Sequence, residues 1–205
     1  QTTAKVFASL PVYTNSECGL LGIALGPDTS GYAQGGHVYV FATMTDREQQ
    51  ILRFTDLDGT GKELTPVKAG LPTQGINHDG GSLVLGPDQK LYCAIGDGGG
   101  SANTAQDLKS LFGKVLRLNL DGTIPADNPD LSALDPNARP EIYAFGFRNP
   151  FRLAVRITGA GASDYQVFAS ENPVSMSDQG TLLQNYPSVA NAFAAQIAYE
   201  GIWEK

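Results

Sequence analysis

Three reactive side chains stand at matching places along this 205-residue sequence: the thiol of Cys18, the imidazole of His78 and the guanidinium of Arg148. Each one shortly precedes a short apolar run. His78 is one of two histidines in the chain and lies in "GINHDGGSLVLGPDQKLYCAIGDGGG", residues 75–100. An imidazole can accept a proton at pH 7, and a guanidinium carries a fixed positive charge. If folding brings the three together, they would form an acid–base site beside a cation.

The places match because the sequence repeats. "ECGLLGIALGPD", residues 17–28, aligns with "NHDGGSLVLGPD", residues 77–88, at the 60-residue shift that also separates Cys18 from His78. A third copy begins at "RNPFRLAV", residues 148–155, so that Arg148 follows His78 by 70 residues. The later parts of the unit recur as well, in "HVYVFAT" (37–43) with "KLYCAIG" (90–96), and in "ILRFTDLDGT" (51–60) with "VLRLNLDGT" (115–123).

Each unit reads as three or four short strands divided by Gly- and Pro-rich turns, with an Asp-Gly turn after the third strand. Such units, repeated at a long period with variable loops, are typical of a β-propeller. We therefore predict an all-β fold of the propeller type, with a β-sandwich or an irregular barrel as alternatives. The first strand of each propeller blade lines the central channel, so Cys18, His78 and Arg148 would meet at the channel mouth. Convergent polar groups at a concave surface are typical of binding and active sites.

Composition limits the partners of this protein. Its 14 Lys and Arg residues against 21 Asp and Glu residues give a net charge of −7, which repels nucleic acid and anionic lipid. No apolar run approaches the roughly 18 residues needed to cross a bilayer. The sequence begins at Gln1 rather than Met, so we expect a mature secreted or periplasmic protein or a fragment. Its two cysteines, Cys18 and Cys93, permit one disulfide without requiring it.

Four blocks resemble the glucose/sorbosone dehydrogenase family: "GLLGIALGPD", "AGLPTQGINHDGGSLVLGPDQKLYCAIGDGG", "GKVLRLNLDGTIPADNP" and "EIYAFGFRNPFRLAV". Together they cover about residues 17–155 in the family's order. The resemblance implies a six-bladed β-propeller that uses pyrroloquinoline quinone (PQQ) and calcium to oxidise an aldose or related alcohol. Because three units are recognisable here, we expect this chain to form only part of the full ring.

By position in these blocks, the resemblance implies that His78 is the general base. It would take the hydroxyl proton of the substrate while hydride passes to the quinone. Asp97, at the end of "IGD", matches a family aspartate near the sugar and the base. Arg148 and Asn149 match residues that contact the quinone, where a positive charge stabilises electron density arriving on its oxygens. An external electron acceptor is implied as well.

Glu17 and Asn77 are the residues that the resemblance places at the substrate. Asn77 stands where the family's glucose enzyme has an aspartate, and no calcium-binding loop is recognisable after Val155. We therefore keep a second hypothesis, a non-catalytic propeller module that recognises a glycan or a protein, because the family fold also occurs in a protein without enzymatic activity. "ASENPVSMSDQG", residues 169–180, lies where the calcium loop could start, but its metal ligands cannot be assigned.

The domain prediction follows from the extent of the repeat. Residues 1–155 should form the recognisable propeller blades, and residues 156–205 a further blade or an irregular segment. Val189, Phe193 and Ile197 are spaced four residues apart, which favours a C-terminal helix. We expect the rest of a propeller, or a protein partner, to cover the strand edges that an open ring would expose.

Overall fold

The computed structural model describes residues 4–26, 36–75, 77–100, 103–157, 165–170 and 181–183. In these residues the chain is built from strands and one short helical turn. In chain order the elements are β1 (Leu20–Leu25), β2 (His37–Thr43), β3 (Gln49–Asp56), β4 (Gly61–Leu71), β5 (Leu83–Leu85), β6 (Leu91–Ile95), α1 (Asn103–Gln106), β7 (Lys114–Leu118), β8 (Ile142–Phe145), β9 (Arg152–Ile157), β10 (Tyr165–Ser170) and β11 (Thr181–Leu183).

The strands form three antiparallel sheets, one for each sequence repeat. The first sheet has the order β1-β2-β3-β4, the second β5-β6-β7-β8, and the third pairs β9, β10 and β11. The first strands of the three sheets lie side by side, β1 next to β5 and β5 next to β9. The backbone N–H of Leu153 on β9 donates to Ser82 Oγ at 3.0 Å, just before β5. This arrangement places the starts of the three units at one end of a common inner wall, as the propeller prediction requires.

The second sheet is buried on both faces because its strands alternate between two cores. On β6, Leu91, Cys93 and Ile95 pack towards the first sheet, while Tyr92 and Ala94 pack towards the third. Successive side chains of a strand point to opposite faces, so neighbouring residues of β6 face different cores. All five residues are buried, as expected for a strand in the middle layer of a stack.

The first sheet carries a separate apolar cluster on its other face. Val38, Val40, Leu52 and Phe54 form this cluster, and the N-terminal segment with Phe7 and Leu10 packs onto it. The hairpin between β3 and β4 turns at Asp58 and Gly59, which have φ values of 54° and 70°. Two central residues with positive φ define the Asp-Gly hairpin that the sequence predicts. The stretch "DLDGT" is thus a turn.

Two buried charged groups hold the outer parts of the first two sheets in place. Arg117 on β7 is 1% exposed and bonds Asp88, Asp127 and Asn128 at 2.9 Å each, fastening the loop after β7 to the second sheet. Glu141, directly before β8, pairs with Lys68 on β4 at 2.7 Å and so links the second sheet to the first.

The predicted division after residue 155 stays a prediction, and β9 runs across it, from Arg152 to Ile157. The third sheet continues to Leu183. The expected C-terminal helix lies outside the described residues. No helix in the described part of the chain has the length and apolar character needed to cross a bilayer.

Candidate functional site

The approaches to β1, β5 and β9 meet at one end of the inner wall. The residues concerned are Glu17 and Cys18, His78 and Asp79, and Arg148 and Asn149. Their contacts are direct: the backbone N–H of His78 donates to Glu17 Oε2 at 2.8 Å, and Asn149 Nδ2 donates to the same oxygen at 3.2 Å. Glu17 therefore joins the second and third approaches to the first. The structure thus brings together the three segments that contain Cys18, His78 and Arg148, through contacts of His78 and of the neighbours Glu17 and Asn149.

A buried imidazole–carboxylate pair forms the centre of the site. His78 Nδ1 lies 2.6 Å from Asp97 Oδ1, and the two side chains are 8% and 7% exposed. A carboxylate can only accept, so the proton of this hydrogen bond belongs to Nδ1 when the ring is neutral. Nε2 is then the unprotonated ring nitrogen. The pair thus has the arrangement in which a carboxylate fixes the tautomer and orientation of a histidine base.

Asp97 is itself held in place by its neighbours. Its Oδ1 also accepts the backbone N–H of Gly99 at 2.8 Å, and its own N–H donates to the Arg148 carbonyl at 2.8 Å. Gly98 and Gly99 have φ values of 74° and 73°, a conformation that favours glycine, so the "GDGGG" run allows the chain to turn back around the carboxylate.

The His78 backbone adopts the left-handed conformation, with φ of 52°. A side chain other than glycine costs roughly 1–2 kcal/mol in this conformation. The cost is offset by contacts on both sides of the residue: Glu17 accepts its N–H, and its carbonyl accepts the Gly98 N–H at 3.2 Å. Non-glycine residues held in this region are concentrated at functional sites.

Arg148 and Asn149 differ in their surroundings. Arg148 is exposed and lies at the surface of the site, directly before the buried residue Asn149. Asn149 is 5% exposed, and its amide is used within the protein: Oδ1 accepts the Gly80 N–H at 3.1 Å, and Nδ2 donates to Glu17. Of this pair, Arg148 is the exposed residue and Asn149 the buried one. The cofactor roles of both residues stay predictions.

The two residues predicted to face the substrate also differ. Asn77 is exposed and lies against Gly99, at the edge of the turn after Asp97. Glu17 is half-buried and its Oε2 is occupied by the contacts to His78 and Asn149. Asn77 is therefore the more available of the two for an external ligand, and Glu17 acts at least as a link inside the site.

The long loop after Asp97 forms one side of the site and is held in place by a buried lysine. Lys114 is fully buried, and its Nζ donates to the carbonyls of Thr104, Ala105 and Phe112 at 2.6–3.0 Å. Three donors to three carbonyls require the ammonium form. The loop is thereby closed around α1, and the Phe112 ring lies against Gly98.

A buried polar cluster lies directly behind His78, and sequence reasoning missed it. The Asp79 carboxylate accepts Gln49 Nε2 at 2.9 Å and Thr73 Oγ1 at 2.5 Å on Oδ1, and Cys18 Sγ at 3.3 Å on Oδ2. Asp79 is 2% exposed and Gln49 is fully buried. The polar run "NHDGG" contains Asp79, but no local pattern distinguishes a buried carboxylate from an exposed one in such a run.

The cysteines do not form the disulfide that the sequence permits: both are buried free thiols. Burial, together with the hydrogen bond to Asp79, raises the pKa of the Cys18 thiol to about 11. Burial also raises the pKa of the Cys93 thiol. Both thiols are protonated at neutral pH, so Cys18 can donate its proton to the Asp79 carboxylate.

Among the described residues, no group of three or more His, Cys, Asp or Glu side chains could hold a metal ion. The acids of the site are committed to contacts within the protein. The segment considered for a calcium loop, residues 169–180, falls largely outside the described residues. The calcium prediction stays a prediction.

With this geometry in view, comparisons with known proteins identify relatives. The family model described as "Glucose / Sorbosone dehydrogenase" matches residues 1–160. Quinoprotein glucose dehydrogenase B of Acinetobacter calcoaceticus is 33% identical over 229 residues, covering 90% of this chain and 46% of that protein. The crystal structure of an oxidoreductase (glucose dehydrogenase) of Thermus thermophilus is similar, with 34% identity and a TM-score of 0.71 over 86% of this chain and 51% of that one.

The PQQ-bound form of the aldose sugar dehydrogenase of Streptomyces coelicolor is also similar, with 29% identity and a TM-score of 0.65. That match covers 87% of this chain and 49% of that one. The present chain thus spans about half the length of the relatives it matches. Together with the three adjoining antiparallel sheets, these likenesses confirm the predicted fold, an all-β chain that forms part of a β-propeller.

Proposed function

Since the chain belongs to the glucose/sorbosone dehydrogenase family, we propose that it is part of a PQQ-dependent dehydrogenase that oxidises an aldose or a related alcohol. The observation that carries the proposal is the contact of 2.6 Å between His78 Nδ1 and Asp97 Oδ1 in a buried site. Such a pair is what removal of a hydroxyl proton needs, because the carboxylate holds the ring with Nε2 ready to accept.

His78 takes the substrate's hydroxyl proton on Nε2. Asp97 stabilises the imidazolium that forms, since its Oδ1 accepts the hydrogen bond from Nδ1, with 2.6 Å between the two atoms, and is kept in place by Gly99. Glu17 holds the His78 backbone from the other side by accepting its N–H. These residues move and hold one proton; accepting the two electrons is a separate task.

PQQ, when bound, supplies that second task by accepting hydride from the substrate carbon. The donor chemistry of the site fits this group, because the exposed Arg148 offers a guanidinium to its anionic oxygens. The buried Asn149 amide would orient Glu17 and Gly80 next to it rather than contribute a free hydrogen-bonding group. The exposed Asn77, beside Gly99, is placed to meet a sugar hydroxyl.

The proposal includes an external electron acceptor. A secreted or periplasmic location stays a prediction. The second hypothesis, a propeller module that binds a glycan or protein without turnover, differs from the first in one result. It predicts a ligand that binds and is released unchanged.

The test is a titration of the purified protein with PQQ, followed by absorbance, and then addition of a panel of aldoses with a dye as electron acceptor. We expect saturable quinone binding and dye reduction by at least one sugar. His78→Gln should lower kcat by ~100-fold or more, the usual contribution of a positioned base. The matched control is His37→Gln, which changes the chain's other histidine, on β2, and should leave kcat unchanged.

Wild-type kcat in His78→Gln would remove His78 from the mechanism. Quinone binding without oxidation of any sugar or alcohol would favour the binding-module hypothesis. Absence of quinone binding would contradict the proposed cofactor.

A further inference from the structure

Asp79 is a buried carboxylate whose partners are all uncharged. It is 2% exposed, and among the described residues it forms no ion pair with a lysine or arginine. Its partners are Cys18, Gln49 and Thr73, each of which donates a hydrogen bond to it. Burying a carboxylate without a cation is costly, and apolar residues of similar size would fill the space at lower cost. Packing alone therefore does not account for this residue.

Gln49 shows that its surroundings are arranged for a carboxylate. Its Nε2 donates both to Asp79 Oδ1 at 2.9 Å and to the Asp79 carbonyl at 3.2 Å. Its Oε1 is buried and has no hydrogen-bond partner among the described residues. A buried acceptor without a partner is destabilising, because it loses its hydrogen bonds to water when the chain folds. The opposite orientation of the amide would direct Oε1 at the carboxylate, so the side chain is held in this orientation by Asp79.

The three hydrogen-bond donors to Asp79 belong to the first sheet and its connections, whereas His78 belongs to the second. Cys18 precedes β1, Gln49 begins β3 and Thr73 follows β4, so all three belong to the first sheet or its connections. His78 and Asp79 lie on the approach to β5, the first strand of the second sheet. Asp79 therefore connects the His78 backbone to the first sheet, while the His78 ring bonds Asp97, which follows β6 of the second sheet.

We propose that Asp79 is a positioning residue for His78. Its carboxylate, held by three donors of the first sheet, keeps the residue before it in the left-handed conformation that brings Nδ1 to Asp97. That His78 is a base rests on the proposed function above, whereas the positioning of its ring does not. Released from Asp79, the His78 backbone can return to the ordinary negative φ region, and this would rotate the ring away from Asp97.

Three variants separate positioning from general stability. Asp79→Ala removes the acceptor for all three donors. Asp79→Asn keeps an oxygen that can accept from Gln49 and Thr73, and its amide nitrogen then faces the weak acceptor Cys18 Sγ. The control is Asp56→Ala, which removes another buried carboxylate, 5% exposed, at the far end of β3 from Gln49. The ends of that strand are about 23 Å apart at the usual rise per residue.

The first measurement needs no cofactor. The proton between His78 Nδ1 and Asp97 should give a strongly downfield ¹H NMR resonance, identified by its loss in His78→Gln. We expect Asp79→Ala to lose this resonance, Asp79→Asn to retain it, and Asp56→Ala to retain it. The second measurement is steady-state kinetics with PQQ. Misplacing the base should lower kcat by ~10- to 100-fold in Asp79→Ala with little change in KM. Asp79→Asn should recover most of kcat.

An unchanged resonance in folded Asp79→Ala would overturn the proposal, and so would its equal loss in Asp56→Ala. If Asp79→Ala does not fold, Thr73→Val and Cys18→Ala each remove one donor and should weaken the resonance; no change in either would be equally decisive against positioning. If the wild-type protein oxidises no substrate, the proposed function fails while the resonance still decides the role of Asp79. If the wild-type protein oxidises a substrate but the resonance is the same in Asp79→Ala as in wild type, only the positioning role fails.

Discussion

The ion pairs of Glu141 predict how acid should lower the stability of the protein, because Glu141 links the first two sheets, on which the site is built. Glu141 is 4% exposed and receives hydrogen bonds from Lys68 on β4 at 2.7 Å and from Arg139 at 2.8 and 3.2 Å. Burial alone would raise the pKa of this carboxyl, but the hydrogen bonds from Arg139 and Lys68 outweigh burial and lower its pKa from 4.5 to about 2. The folded protein therefore favours the ionised form.

The size of the effect follows from this difference. A tenfold difference in proton affinity between folded and unfolded chains corresponds to about 1.4 kcal/mol. Lowering the pKa of Glu141 from 4.5 to about 2 thus adds ~3 kcal/mol to the free energy of unfolding. Because the folded pKa is the lower one, this stability is fully present above the unfolded value. It is lost as pH falls towards the folded value, with ~2 kcal/mol gone by about pH 3.

The assay is urea unfolding followed by far-ultraviolet circular dichroism between about pH 7 and pH 3. Glu141→Gln should be less stable than wild type by ~2–3 kcal/mol at pH 7, and the difference should shrink to about 1 kcal/mol or less at pH 3. Glu63→Gln, an exposed carboxyl on β4, is the control and should follow wild type throughout. A difference between Glu141→Gln and wild type that stays constant over the whole pH range would refute the reasoning.

Three further predictions concern other parts of the molecule. Arg117→Lys should lower the free energy of unfolding in urea by ~2 kcal/mol or more, because a lysine cannot bridge the carboxylates and the amide that the buried guanidinium holds together; unchanged stability would contradict this. Gly96→Ala should reduce both stability and kcat, since its methyl group would collide with the His78 carbonyl, and a wild-type kcat would argue against the rigid placement of His78. A thiol reagent at pH 7 should label neither Cys18 nor Cys93 in the folded protein, and it should label both after unfolding without reductant. Fewer than two labelled thiols per unfolded chain would reveal a disulfide.

The fold was predictable because its signals are local and repeated. The units carry short apolar strands and turns marked by Gly, Pro and Asp-Gly, and three such units follow one another along the chain. The sequence "LYCAI" on β6 is apolar throughout, which predicts burial on both faces, and the structure places it between the first and third sheets. What covers each face could not be read locally, because it depends on how one unit stacks on the next.

The candidate site was predictable in part, for the same reason. Cys18, His78 and Arg148 share a phase of the repeat, and units that stack side by side bring equal phases together. The contact between His78 and Asp97 was less accessible, since these residues are 19 positions apart and their pairing depends on the turn at Gly98 and Gly99. No local pattern predicts the engagement of Asn149 with Glu17 and Gly80, which buries its amide.

By itself, the sequence thus determined the all-β repeat, the family and several of the polar residues that meet just before the first strands. Only the tertiary structure decided what each of those residues does there. Asp79 is an ordinary loop residue in the sequence, yet it bonds Cys18 from 61 positions away and Gln49 from 30 positions away. The physical reason is that burial and hydrogen-bond partners depend on contacts between distant segments. A one-dimensional pattern records which residues can make such contacts, but the packing of the sheets selects the ones that form.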